Sequence, residues 1–537
     1  MKKIKKGDPM QDSKTLLSPF VTNTDENIFV LQNLPEVIKG ALFSRYSRSR
    51  LGLRELLQKE FLQNSEAGFE TTAVDFSHVN VKKATDFYDR ILDGYGDDSV
   101  AELGGAHLAL EEVSMLATKI LEDARIGGSP LEKSTRYIPF DDKKDGCFRY
   151  YKDPNILASS FKDDYIATMD HLFETYSSLI RPMTERIENL YPLEEGTSEA
   201  AWRTSVRALV FDCLRGLLPA ATLTNLGFYG NGRFFESLLM KMRLNPLAEV
   251  QQIAQKGHQE LSKVIPSFVK RADQQHRHFG AYREYATQLS DFVQSLKRPD
   301  KKEEMTGFSV RLVKDSSQGC ENQLLAALLY EESSETFSDL LRFVESMEEN
   351  GKRKLLVELG QLRKNRRHKS PRALEHVDFT FEITADFGCY RDLHRHRILT
   401  QERQKLTCEL GYTLPQEIEG TEMEAIYKSA LLKAKNFHDE LVKILPVEAQ
   451  YSVPMAYNIR WYVKINLRAL QWMAELRSTP QGHPEYRKVA QQMALRVIEA
   501  HPLFEPLLGF MDYSEHAIGR LAQEERSLKK KGQIHGS

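Results

Sequence analysis

Two distant stretches of this 537-residue chain carry one pattern, "LRGLLPAATLTNLGFYGNGRFFESLLMKMR" (214–243) and "AQYSVPMAYNIRWYVKINLRALQWMAELR" (449–477). In each, a Pro is followed twelve positions later by Asn and two further on by Arg: Pro219, Asn231, Arg233 and Pro454, Asn466, Arg468. An Arg closes each apolar segment, Arg243 or Arg477, and a helix-like stretch follows, "EVQQIA" (249–254) or "EYRKVA" (485–490). Upstream, "NLPEVIKGALFSRYS" parallels "NQLLAALLYEESS". Several parallels in one order predict an internal duplication. The segment "SLKRPDKKEEMTG" (295–307) is charged, holds Pro and Gly, and has almost nothing to bury, so it reads as the linker. The expected units are 1–297 and 305–537. Two amphipathic helical domains that look alike by chance are the alternative.

Most of the chain reads as helix, as in "SVAELGGAHLALEEVSMLATKILEDA" (99–124) and "PLAEVQQIAQKGHQELSKVI" (246–265), whose apolar residues recur at helical spacing. In "VDFTFEI", Val377, Phe379, Phe381 and Ile383 alternate with polar residues, the period of a half-buried strand. The predicted class is therefore α+β, helix-rich, with a small sheet in each half.

Composition removes several functions. Lys+Arg is 74 against Asp+Glu 76, a net charge of -2, so there is no overall basic field for nucleic acid, although local patches remain open. Five cysteines, Cys147, Cys213, Cys320, Cys389 and Cys408, form no CxxC pair and no close metal spacing. That suits a reducing cytoplasm and predicts neither a disulfide framework nor a metal site. The basic start "MKKIKKGDPMQDS" continues into polar residues rather than the apolar run of a signal peptide, and no stretch is long and apolar enough to span a membrane.

Two stretches stand out chemically. "SPLEKSTRYIPF" sets Ser129, Glu132, Ser134, Arg136 and Tyr137 close together behind Gly127 and Gly128. Glycines, hydroxyls and an Arg can hold a phosphate, and they can equally be a helix cap and a polar loop. "DLHRHRILTQERQK" (392–405) places Arg395, His396 and Arg397 in a row; on a helix they would point about 100° apart and share no face. Taken by composition, that row reads as a solvated basic face or a minor nucleic-acid patch.

With these residues the sequence resembles the flavin-dependent thymidylate synthases, the ThyX family, whose signature RHRxxSxxExSxRY follows an EHxxFTFxI strand. "EHVDFTFEI" and Arg395-His396-Arg397 stand in the second half, and Ser129, Glu132, Ser134, Arg136 and Tyr137 stand in the first. The signature is divided. The first-half positions for RHR are Ala124, Arg125 and Ile126; the second-half positions for the remainder are Thr400, Arg403, Lys405 and Thr407. The family's Arg before the Pro is Arg215 in the first half and Gln450 in the second. Its Gln before RHR is Asp392 or Leu121, and its second Asn is Ser237 or Trp472. The resemblance thus implies two ThyX-like units in tandem forming an internal pseudo-dimer, each keeping what the other has lost.

The resemblance also implies an activity: reductive methylation of dUMP to dTMP with methylenetetrahydrofolate, FAD and NADPH. It implies dUMP contacts from Ser129, Glu132, Ser134, Arg136, Tyr137 and Arg215, and charge stabilisation at the uracil by Arg477. FAD contacts fall to Arg395, His396, Arg397, Asn466 and Arg468, with His368 and Ser370 resembling the family's HxSP element. Asn231, Arg233 and Arg243 would be vestigial counterparts. No metal is implied, and self-association is expected as a dimer of tandem chains resembling the family tetramer. A degenerate or substrate-altered flavin- or nucleotide-binding relative, and a helical nucleic-acid-binding protein, stay open as alternatives.

Overall fold

The computed structural model describes residues 14–25, 29–46, 51–62, 101–124, 126–297, 306–316, 319–516 and 518–535. The basic N-terminal stretch, Arg125 and most of the 295–307 linker lie outside the described residues. In chain order the elements used below are α1 (Glu36–Tyr46), β1 (Gly105–Ser114), α2 (Met115–Glu122), β2 (Gly128–Glu132), α3 (Lys162–Leu190), α4 (Glu199–Leu214), β3 (Leu223–Asn231), α5 (Gly232–Arg243) and α6 (Ala248–Val264). They continue with β4 (Ser309–Lys314), α7 (Cys320–Tyr330), β5 (Asp378–Asp386), α8 (Phe387–Leu393), β6 (Thr400–Arg403), α9 (Glu422–Ile444), β7 (Asn458–Asn466), α10 (Leu467–Arg477) and α11 (Pro484–Ala500). The class is α+β, as expected: helices with small antiparallel sheets.

Two compact units form, one from 1–111, 120–132 and 225–299, the other from 112–119, 133–224 and 300–537. The second draws on both sequence halves.

The first unit is organised on a three-stranded sheet of order β1-β3-β2, with Ser129 opposite Tyr229 and Glu132 opposite Leu226. α5 buries Phe234, Phe235, Leu238, Leu239 and Met242. The structure corrects the helix expected across 99–124: Gly105–Ser114 is a strand, and helix begins only at Met115. The buried Ala106, Leu110 and Val113 mimic helical spacing. Close approach of the backbone decides it. A Cβ on Gly105 would stand 2.7 Å from the Gly230 carbonyl oxygen, so glycine there lets the strands meet.

The second unit holds a four-stranded antiparallel sheet of order β4-β5-β7-β6. Phe381 faces Val463, and Ile383 faces Trp461. As the alternation predicts, Phe379, Phe381, Ile383 and Ala385 are buried, and from β7 so are Ile459, Trp461, Val463 and Ile465. The long helices α3 and α9 pack on one another.

The duplication has a physical form. Each Pro-x11-Asn segment runs into a strand that ends on the Asn, which caps the next helix: Asn231 accepts from Phe234 N–H at 2.8 Å, and Asn466 from Ala469 N–H at 2.9 Å. The two Pro segments also pair antiparallel, Pro219 against Pro454. Ala220 N–H donates to the Val453 carbonyl and Met455 N–H to the Leu218 carbonyl, both at 2.9 Å. Equivalent residues facing each other is the pattern of a two-fold interface, here within one chain. Losing the Asn466 cap costs about 1 kcal/mol. Asn466→Ala should therefore lower the thermal midpoint by a few degrees, while Asn466→Asp, which also caps, should not.

Candidate active site

Arg136 follows an ordered turn in which its own N–H donates to Ser134 Oγ at 3.2 Å. Its guanidinium forks onto Asp212 at the end of α4, Nε to Oδ1 and Nη2 to Oδ2, both at 2.7 Å. Nη1 donates to the Tyr486 hydroxyl at 3.3 Å. One residue past α4, Arg215 donates to Asp392 Oδ2 at 3.0 Å. Arg520 stands 3.6 Å from Asp212 Oδ2 and stacks over the Tyr137 ring at 4.7 Å. Gly519 brings it there, because a Cβ at that position would lie 1.8 Å from the Pro480 carbonyl oxygen. Arg477, at the end of α10, sits over Tyr486 at 5.5 Å and donates from Nε to His396 Nε2 at 2.8 Å.

The two histidines are neutral for geometric reasons. A guanidinium only donates, so His396 Nε2 must be a lone pair with the proton on Nδ1. His483 accepts from Glu485 N–H at Nδ1, and its Nε2 faces the Asp212 carbonyl at 3.4 Å. Burial, with Arg477 beside His396 and Arg215 beside His483, pushes each down to about 3.

Asp392 organises the cluster. Although burial opposes it, Arg215, Arg136, Arg395 and Arg477 together hold its carboxyl far below the usual range. Asp212 is also held down, to about 2, chiefly by the Arg136 charge and its hydrogen bonds, with Arg520 behind, against the cost of burial. Five guanidiniums thus surround two carboxylates. Buried donors are left over: among the described residues, Arg215 Nη2 and both Arg520 terminal nitrogens meet no hydrogen-bond partner. Such a surplus suits an anion with several oxygens.

A cavity of about 490 Å³ adjoins the cluster, lined among others by Asp212, Arg215, Asp386, His483, Glu485 and Lys488. A Cβ on Gly388 would stand 2.9 Å from Asp386 Oδ1 and 3.2 Å from Arg215 Nη2, so glycine lets the guanidinium lie there. Burial, and then Glu485, raises Asp386 to about 7, and burial raises Glu485 too.

Of the residues expected from sequence, the structure brings Ser134, Arg136, Tyr137 and Arg215 together with Arg395, His396 and Arg477. Others have different positions. Ser129 and Glu132 lie in β2 of the first unit, Asn231 ends β3 and caps α5, and Arg233, in α5, pairs with Glu102 at 2.7 Å. Arg243 closes α5, its Nε buried without a hydrogen-bond partner among the described residues. Asn466 caps α10. Arg468 donates to the Ser370 carbonyl at 2.8 Å and to Glu375 at 2.6 Å. Ser370 donates to Gln471 at 2.7 Å, and His368 Nδ1 accepts from Lys364 N–H at 3.3 Å. Arg395 and Arg397 are exposed in the turn between α8 and β6, where the cationic row can point in several directions.

Asp212, His483, Tyr486 and Arg520 were not found from sequence. His483 had no signal, since setting 485–490 against 249–254 puts it opposite Leu247. Arg520 had none.

The chain matches the family model described as thymidylate synthase complementing protein over residues 56–267 and again over 311–503. It belongs to that family, the ThyX proteins, and it carries the family unit twice. It is 51% identical to a UPF0159 protein of Chlamydia muridarum over 97% of this chain and 99% of that one. It is 32% identical to a UPF0159 protein of Thermoplasma acidophilum over 92% of this chain and 99% of that one. Among solved structures, a UMP/dUMP methylase of Streptomyces cacaoi bound with 5-Br dUMP is similar at 20% identity and a TM-score of 0.31, covering 38% of this chain and 96% of that one. That likeness is too slight to bear on the site.

Proposed function

We propose that the chain methylates dUMP to dTMP as a flavin-dependent thymidylate synthase, with methylenetetrahydrofolate and NADPH as co-substrates. The observation that carries this reading is the convergence on Asp392 and Asp212 of Arg136 and Arg215 from the first half with Arg395, His396 and Arg477 from the second. The sequence halves, 1–297 and 305–537, would then share one site rather than own one each.

The phosphate of dUMP would be met by donors not already spent, Arg215 Nη2 and the Arg520 terminus. Arg136, forked onto Asp212, serves to position. Arg477 keeps its charge because its hydrogen bond goes to a neutral ring, so it can stabilise negative charge developing on the uracil. FAD, when bound, supplies the reducing equivalents. Arg395 and Arg397, exposed in the turn after α8, would meet its diphosphate, and Ser370, Asn466 and Arg468 would act through the internal bonds that order their own segments. Among the described residues no helix is long and apolar enough to cross a membrane. A cytoplasmic location belongs to the same proposal, and the five unbridged cysteines are consistent with a reducing compartment. Assembly as a dimer of tandem chains belongs to the same proposal.

One observation favours a second reading, a relative with altered substrate. Asp392 stands where the family has Gln and already occupies Arg215. Incubation of the full chain with FAD, NADPH, methylenetetrahydrofolate and dUMP separates the two. Formation of dTMP supports the synthase; a flavoprotein that makes none supports the altered relative.

A further inference from the structure

The second unit holds a side-chain cluster that the synthase reading does not use. Cys320 opens α7 with Glu321 beside it, and His501 follows α11, 181 residues away in sequence. Cys320 Sγ lies 3.9 Å from His501 Nδ1 and 3.8 Å from Glu321 Oε2, and the three atoms all fall within 4.8 Å of one another. A tetrahedral zinc ion, with Zn–S about 2.3 Å and Zn–N about 2.0–2.1 Å, spaces its ligand atoms roughly 3.5 Å apart. The other ring nitrogen, His501 Nε2, points to Asp315 Oδ2 at 3.6 Å. At that distance Asp315 stands just outside hydrogen-bond range of Nε2, which has no hydrogen-bond partner among the described residues; a small closure would give the carboxylate behind the imidazole that fixes tautomer and ring orientation for a metal-ligating histidine. Phe379 and Phe504 hold the ring from its sides, at centroid distances of 6.0 and 5.4 Å. Glu321, His501 and Asp315 also line an open cavity of about 700 Å³, which gives a route of entry.

We propose that Cys320, Glu321 and His501 bind one divalent zinc-type cation, with Asp315 as the outer partner of His501 and water as the fourth ligand. The charges balance: binding expels the thiol proton to solvent, and the thiolate and carboxylate together neutralise the metal. The start of α7 favours the thiolate that the metal requires. A thiolate, an imidazole and a carboxylate form a donor set that zinc accepts and that magnesium or calcium does not select. Sequence spacing hides the site, because no CxxC or close Cys–His pair marks it.

The test uses the full chain, stripped with chelator and titrated with Co²⁺ alone. One Co²⁺ per chain should bind, with a near-ultraviolet thiolate-to-cobalt band, tetrahedral visible bands and release of a proton, and Zn²⁺ should displace it. The thiolate band should vanish in Cys320→Ser and persist in Cys147→Ser. Asp315→Asn, at a half-exposed side chain, should weaken binding about 10–100-fold with the fold intact. If Cys320→Ser fails to fold, Glu321→Gln and Asp315→Asn still decide the matter. Absence of a thiolate band, its survival without Cys320, or unchanged affinity in both of those variants would overturn the site.

Discussion

Arg477→Gln should lower kcat by about 10²–10³-fold, the usual loss when one preorganised donor to a developing charge is removed. KM for dUMP should change little, since the phosphate would be held by Arg215 and Arg520. Folding should survive, because Arg477 is only half-buried and leaves behind His396, a neutral group. His396→Ala provides the companion measurement: with its acceptor gone, Arg477 keeps its charge and loses its orientation, so kcat should fall less than in Arg477→Gln. Steady-state kinetics on both variants checks this. Equal kcat in Arg477→Gln and the parent would remove Arg477 from the chemistry.

The largest stability effect is expected at Asp212. Removing one partner of a buried ion pair typically costs about 3–5 kcal/mol, because the other charge stays buried and uncompensated. Asp212→Ala strands Arg136 and Arg520 together, so denaturant unfolding should show a loss in that range. Replacing both Arg136 and Asp212 by apolar residues should cost less than Asp212→Ala alone. The pH dependence follows from the same groups. Asp212 has a lowered carboxyl, so the stability it contributes is present above the unfolded value near 4 and is lost as pH falls through about 2. His396 and His483 are also depressed, so they cost stability as pH falls below about 6.5, down to about 3. Asp386 works the other way: its raised carboxyl is best tolerated protonated, and stability is lost as pH rises from about 4 through about 7. Comparing the thermal midpoints of Asp386→Asn and the parent across pH 4–8 isolates that group. The parent should fall relative to the variant as pH rises.

The strand Asp378–Asp386 was legible because Phe379, Phe381 and Ile383 alternate, and a period of two states directly which face is buried. The tandem repeat was legible because Asn231 and Asn466 cap helices at one spacing, a local rule written in adjacent residues. Gly105–Ser114 misled because three buried residues at helical spacing outweighed a glycine whose role lies in another strand's backbone. Part of the candidate site was readable as motif residues. Their partners were not: the Arg136–Asp212 fork, the Arg215–Asp392 pair and the arrival of Arg520 join residues 76, 177 and over 300 positions apart, and only the folded chain sets those distances. Asn466 and Arg468 show the converse. Their spacing was legible, while their bonds to Ala469, Ser370 and Glu375 give them work within the fold.

The central claim is that one site takes parts from both sequence halves. The direct measurement is dTMP formation by the full chain, by Arg215→Gln from the first half, and by Arg477→Gln from the second, each with FAD, NADPH, methylenetetrahydrofolate and dUMP. The shared site predicts turnover by the parent and a loss of at least about 100-fold in kcat/KM in each variant, since each would remove a charged contact proposed to be made to the reacting nucleotide. If either variant keeps the parental kcat/KM, that half supplies no part of the site and the shared architecture is contradicted.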